Sequence, residues 1–165
     1  MTKEQITAEG AVDRYADMVY RLALSQMKNK ADADDLFQEV FVRLVGNVHK
    51  LESWEHVKAW LIRVTVNCAR KHFDQYWNKN VSGMEEAGQA ENEVENDVLV
   101  GVHPVRLAVE SLPSKYRLVI HLFYYEQFSV REIAKMTDRK ESTVKSRLFR
   151  AREMLKELLE GDPDL

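Results

Sequence analysis

A chain of 165 residues with 45% hydrophobic and 31% charged side chains, six Gly and three Pro has the composition of one or two helical globular domains, which excludes a fibre or a wholly disordered tail. Its single cysteine, Cys68, excludes an intramolecular disulfide, no Cys/His grouping has zinc-ligand spacing, and no stretch approaches the roughly 18 apolar residues of a membrane span, so a reducing, cytoplasmic setting is expected. The formal net charge of −3 excludes a uniformly basic nucleic-acid coat but conceals segments: residues 1–77 balance eleven Lys/Arg against eleven Asp/Glu, 78–103 carry one Lys against six acids, and 139–152 carry six basic residues and one acid.

In chain order, Val12, Tyr15, Val19, Leu22 and Ala23 recur at helical spacing and predict one amphipathic helix. A second follows in KADADDLFQEVFVRLV, where Leu36, Phe37, Val40, Phe41, Leu44 and Val45 form the inward face. Asp35, Gln38, Glu39 and Arg43 point elsewhere, and Gly46 with Asn47 supplies the stop. Asp34 and Asp35 suit a helix amino terminus through the macrodipole. Gln38 and Glu39 are not explained that way, which leaves room for a basic protein partner.

The third helix, roughly Val57 to Trp77, is apolar on two sides. Val57, Trp60, Leu61, Val64 and Cys68 make one stripe, and Ile62, Val66, Ala69, Phe73 and Tyr76 the other. Such a helix is packed on both sides, and its remaining polar strip, Arg63, Asn67, Arg70, Lys71 and Asp74, fits within about 100° of arc. An isolated polar strip is commonly plain solvated surface. Here it adjoins HKLESWEHVKAW, with Trp54 expected in a loop, and aromatics interleaved with cations suit single-stranded nucleic acid, whose bases stack while its phosphates pair with charge. Trp60 and Phe73 fall on apolar stripes and are assigned to the core, so Trp54 is the better candidate for a base contact.

Residues 78–103 combine Gly, Asn and acids without sustained apolar periodicity and read as a linker. Beyond it, Leu112-Pro113 ends one helix and Tyr116 to Tyr125 forms the next. Ser129 and Glu132 make a capping box for VREIAKM, TDRKE makes a short turn, and Ser142 is the expected N-cap of a last helix whose stripe is Val144, Leu148, Ala151 and Leu155. A capped short helix, a tight turn and a second helix form the helix-turn-helix pattern. Lys145, Arg147, Arg150 and Arg152 cannot all lie on the apolar stripe and project outward, as a helix entering the major groove requires. No alternating strand pattern appears, so the fold expected is all-α with two small domains. The five His residues, at 49, 56, 72, 103 and 121, stand without Ser, Cys or carboxylate partners at motif spacing, and no phosphate-cradling glycine loop is present. Catalysis, cofactor, metal and small-molecule substrate are not expected.

Three stretches together resemble a bacterial RNA polymerase sigma factor of the extracytoplasmic-function type: DADDLFQEVFVRL, WLIRVTVNCARKHF and LPSKYRLVIHLFYYEQFSVREIAKMTDRKESTVKSRLFRAR. The resemblance implies a region-2 domain over 1–77, an acidic linker over 78–103 and a region-4 domain over 104–165, with regions 1.1 and 3 absent. It further implies that Asp34, Asp35, Gln38 and Glu39 dock on the polymerase β′ clamp helices. Trp54, Arg63, Asn67, Arg70 and Lys71 would capture the melted single strand of the −10 element, with Asn67 at a flipped-base pocket. Arg139, Ser142, Thr143, Lys145, Ser146, Phe149 and Arg150 would face the duplex −35 element. The β flap and an anti-sigma factor, which would hold the chain at the membrane, are the remaining implied partners.

The chain departs from its relatives in the turn, where many have Gly and then an aliphatic residue in place of Asp138 and Arg139. Asp tolerates left-handed backbone, so the turn can form, while Arg139 is expected to reach phosphate rather than to be buried. Elements about 17 base pairs apart, at roughly 3.4 Å each, require a span of about 60 Å. A flexible linker of 26 residues has a root-mean-square span of only about 30 Å and an extended reach of about 90 Å, so it must be held out, and its acids could mimic nucleic acid inside the polymerase. The residues alone also fit a free-standing helix-turn-helix regulator with a sensing or dimerising first half, or a helical adaptor with no nucleic-acid role.

Overall fold

In the computed structural model, residues 5–27, 29–79 and 104–160 are described, and they belong to two compact units. Every regular element among them is helical. The acidic stretch expected to link the units lies, from residue 80 onward, outside the described residues.

In the first unit, α1 (Ala8–Gln26) begins where the Thr7 side chain accepts from the Gly10 amide at 2.9 Å. α2 (Lys30–Asn47) begins where Asn29 accepts from the Asp32 amide at 2.8 Å. These short polar side chains satisfy amides that have no partner within the first helical turn. A 3₁₀ turn, Val48–Lys50, follows α2, and α3 spans Trp54–Lys79. Ser53 opens α3, its Oγ accepting from the His56 amide at 3.0 Å and its carbonyl from Val57 at 2.9 Å.

The three helices pack on one another pairwise. Leu22, Leu36, Leu44, Leu61 and Ile62 are wholly buried at the centre, each removal from water being worth about 1.5–3 kcal/mol. Val57, Leu61 and Cys68 on one side of α3, and Ile62, Val66 and Ala69 on the other, are all buried, as its two stripes require.

Several details differ from the sequence-based expectation. The buried face of α1 is Ala11, Met18, Val19, Leu22 and Ala23, and Val12 is 39% exposed. On α2 the buried set is Ala33, Leu36, Val40 and Leu44, and Val45 is 66% exposed, while the α-helix ends at Asn47, where the stop was expected. Phe73, assigned to the core, is 49% exposed. Trp54 is the first residue of α3 rather than a loop residue. Its ring lies under the Arg14 guanidinium at 4.1 Å and beside Tyr15, whose hydroxyl donates to the Trp54 carbonyl at 3.1 Å. The indole passes so close to Gly10 that a Cβ there would stand 2.9 Å from it.

The second unit contains α4 (Pro104–Glu110), α5 (Ser114–Ile120), α6 (Val130–Thr137) and α7 (Glu141–Glu160). The helix expected over Tyr116 to Tyr125 changes register within its length: α5 runs directly into a π-helical turn, His121–Tyr125. Leu112, Leu118, Val119, Ile120, Leu122 and Ile133 form the core with Val144, Leu148 and Ala151 of α7. Arg117 is buried among them and donates to the Leu112 carbonyl, closing the turn between α4 and α5. Burial pushes its guanidinium pKa down, with Glu110 pulling the other way. His121 and Glu126 meet at 3.0 Å with side chains only 8% and 7% exposed, bracing the π turn.

Candidate nucleic-acid interface

The helix-turn-helix is built by local hydrogen bonds. Ser129 Oγ accepts from the Glu132 amide at 3.1 Å, and Glu132 Oε1 accepts from the Ser129 amide at 2.8 Å, so the capping box fixes the start of α6. α6 ends at Asp138, whose backbone is left-handed (φ 56, ψ 48). The following Arg139 amide donates to the Ala134 carbonyl at 2.9 Å, closing the turn. Asp at this position adopts the left-handed backbone that the turn requires.

α7 opens two residues earlier than expected, at Glu141. The Lys140 carbonyl accepts from Val144 at 3.1 Å, so Ser142 lies inside the helix and is not its N-cap. The consequence is that Ser142 is turned outward, to the same side as Ser146 four residues on. Arg139, Ser142, Lys145, Ser146, Phe149 and Arg150 are all exposed, Phe149 at 62%, and Thr143 is half-buried. On the opposite side Val144, Leu148 and Ala151 are buried. A hollow of about 280 Å³ lined by Tyr116, Ser142, Thr143, Ser146, Arg147 and Arg150 borders this face, combining hydroxyls with guanidinium groups. Tyr116, from α5, was not singled out by sequence, since nothing in its spacing links it to α7.

On the first unit Arg63, Asn67, Arg70, Lys71 and Asp74 are exposed along α3, as their common arc requires. Exposed Phe73 belongs near Arg70 on the same helix and adds an aromatic surface to the strip. Trp54 is half-buried against α1, apart from this strip in its packing partners.

The four residues of the acidic face are not equivalent. Asp35 and Gln38 are exposed. Asp34 accepts from the Tyr20 hydroxyl at 2.7 Å and from Lys30 at 2.9 Å, and these bonds, Lys30 first, hold its carboxyl below the ordinary value. The same contact with Asp34 raises the Tyr20 phenol. Glu39 turns toward α3, 2.8 Å from His72 and 3.0 Å from Arg43, and its carboxyl is also held low, chiefly by His72. Next to it, burial pushes the Cys68 thiol up, with Glu39 adding to the effect. A second hollow of about 350 Å³, between α1 and α2, is lined by Ala16, Asp17, Tyr20, Asp34, Phe37 and Gln38.

Among the described residues, no three His, Cys, Asp or Glu side chains gather as a metal site, and no helix is long and apolar enough to cross a membrane. His72 and His121 do have carboxylate partners, which sequence spacing did not reveal because Glu39 lies on another helix and Glu126 across the π turn.

Comparison with known proteins covers both units. The family model described as Sigma-70 region 2 matches residues 11–78, and that described as Sigma-70, region 4 matches residues 103–155. The chain is 30% identical over 161 residues to the ECF RNA polymerase sigma factor SigW of Bacillus subtilis, spanning 90% of this chain and 86% of that protein. It is 32% identical over 162 residues to SigM of the same organism, spanning 93% and 95%. Among solved structures, the sigma factor RpoE of Bartonella quintana, in complex with the anti-sigma factor NepR, superposes with a TM-score of 0.72 at 21% identity, covering 93% of this chain and 97% of that one. CnrH, in complex with the cytosolic domain of CnrY, gives a TM-score of 0.63 at 22% identity, over 94% and 88%. These two share the fold. With both units matched in order and relatives matched along most of their length, the chain belongs to the ECF RNA polymerase sigma factors, which direct promoter-specific transcription initiation.

Proposed function

We propose that this sigma factor divides promoter recognition between its two units: residues to about 77 bind core polymerase and captured −10 DNA, and residues from about 104 read the −35 duplex. The observation that carries this reading is the outward face of α7, where Lys145, Ser146, Phe149 and Arg150 are exposed opposite a buried stripe and behind a fully formed capping box and turn. Arg139, Ser142 and Thr143 complete the −35 set. Arg63, Asn67, Arg70 and Lys71 form the −10 set, to which Trp54 contributes at the start of the same helix. The polymerase β′ clamp helices take the acidic face of α2, with Asp35 and Gln38 in direct contact and Asp34 and Glu39 held in place behind them. The β flap takes the second unit.

The chain performs no covalent chemistry in this reading; linking two modest DNA sites through polymerase supplies the specificity. An anti-sigma factor belongs to the same proposal, since RpoE was captured with one. A membrane-anchored partner of that kind would hold this otherwise cytoplasmic chain at the membrane. The free-standing regulator is set aside because the first half matches a sigma region rather than a sensor. The test is transcription by purified core polymerase from a promoter library, with and without this chain. Initiation from a subset of promoters sharing −35 and −10 elements is expected, and no chain-dependent initiation across a broad library overturns the proposal.

A further inference from the structure

Arg152 is exposed, yet its guanidinium is fixed from one side. Nε donates to the Tyr124 hydroxyl at 2.7 Å, and the guanidinium carbon lies 5.6 Å from the Tyr124 ring centroid and 5.7 Å from that of Phe123. The helix offers it no acid: Leu148, Phe149, Leu155 and Lys156 stand three and four residues away. The aromatic pair itself is braced, because the π turn that carries it is anchored by wholly buried Leu122 and by the buried His121–Glu126 contact. A π turn is an uncommon way to continue a helix and is frequent at functional sites.

Arg152 also lies where a duplex would pass. Lys145, Phe149, Arg152 and Lys156 follow one another at spacings of four, three and four, so they share one edge of α7. Arg152 stands about 10 Å along the axis from Lys145. This edge flanks the line of Ser142 and Ser146, which are exposed on the outward face. A cation at the flank meets backbone phosphate, and one held against aromatic rings by a hydrogen bond loses less side-chain freedom when it does so.

We propose that Arg152 is a preorganised phosphate contact beside the −35 duplex and that Tyr124 is its positioning residue. This rests on α7 being the −35 reader. The cation–π arrangement holds the guanidinium plane, the Tyr124 hydroxyl holds Nε, and the terminal Nη groups are left to donate to a phosphate oxygen pair.

The test uses holoenzyme on a promoter recovered from the library, with binding measured across a salt series. Arg152→Ala is expected to lower the slope of log affinity against log salt by about 0.9, one phosphate's share. Tyr124→Phe keeps the charge and both rings, so it leaves the slope unchanged and weakens binding about threefold. Arg152→Lys keeps the slope and supplies the comparison if the Ala variant fails to fold. Weakening by Arg152→Ala that is equal at all salt concentrations, or no weakening, overturns the proposal; the former indicates a structural role and the latter an acidic protein as the true partner. Lys145→Ala separates the two levels: a reduced slope there with none for Arg152→Ala overturns this inference alone, whereas no change in either overturns the −35 assignment of α7.

Discussion

Glu39 and His72, 33 residues apart in sequence, meet at 2.8 Å between Oε1 and Nε2 and tie α2 to α3. The contact gives one member of the expected polymerase-docking face an internal task. It places the acidic face on a helix whose orientation is fixed by the same helix that carries the cationic strip.

This pairing makes the stability of the first unit pH-dependent with a definite sign. The Glu39 carboxyl is held below its ordinary value, first by the His72 hydrogen bond, so the unfolded chain takes up this proton at higher pH than the folded one. Its contribution is complete above the unfolded value, about 4.3, and is lost as pH falls through the lower folded value. Glu39→Gln is expected to cost roughly 0.5–1 kcal/mol at neutral pH, discounted for its partial exposure. That gap should close as pH falls through the lower folded value. Urea unfolding followed by tryptophan fluorescence reports on this unit, since all three Trp, at 54, 60 and 77, fall in the region-2 match. A gap that persists undiminished in acid would refute the linkage.

Ser129 and Ser142 look alike in sequence, each preceding a helix, and the structure separates them. Ser129 makes both bonds of a capping box, whereas Ser142 sits inside α7 and is exposed. Ser129→Ala should lower the stability of the second unit by about 1 kcal/mol. Ser142→Ala should leave stability nearly unchanged and alter −35 preference in the transcription assay. Equal stability losses for the two variants would show that α7 begins where Ser142 could cap it.

What was legible in the sequence follows from how local each cause is. The capping box, the α7 stripe and the cationic arc of α3 depend on residues within one or two turns, and they stand as read except that Leu155, at the end of the stripe, is only half-buried. On α1 Val19, Leu22 and Ala23 are buried as their spacing requires, and the difference lies in the first turn, where Ala11 is buried and Val12 exposed; alanine carries little hydrophobic signal, so periodicity favours Val12. Nothing near Trp54 in sequence reveals that it opens α3, because its partners, Arg14 and Tyr15, are distant along the chain. The Arg152–Tyr124 contact spans 28 residues and depends on a π turn that no periodicity announces.

Gln127 has φ of 62, left-handed backbone at a residue with no local compensation of the kind Asp offers. Gln127→Gly removes strain on the order of 1 kcal/mol, partly offset by the greater freedom of unfolded glycine, for a net gain of about 0.5 kcal/mol. Asp138, at φ 56, should gain less from the same change because its side chain tolerates this region. Far-UV circular dichroism of the second unit's urea transition gives both values. A larger gain at Asp138 would contradict the assignment of strain.

The two-unit division makes a promoter-level prediction that stability measurements cannot mimic. Asn67, Lys145 and Arg150 are exposed, so replacing each with Ala removes surface chemistry without opening the core. If Asn67 serves the −10 element, Asn67→Ala should change base preference at one or two −10 positions and leave −35 preference intact. If Lys145 and Arg150 serve the −35 element, their Ala variants should weaken −35 dependence, Arg150→Ala by about 1–3 kcal/mol for a lost bidentate base contact, and leave the −10 profile intact. The double variant Asn67→Ala, Arg150→Ala should show both changes superimposed, because sites that share no partners add nearly independently. Sequencing transcripts from the library with each variant holoenzyme measures all of these together. A −10 change caused by Arg150→Ala, or three unchanged profiles, would overturn the division of labour.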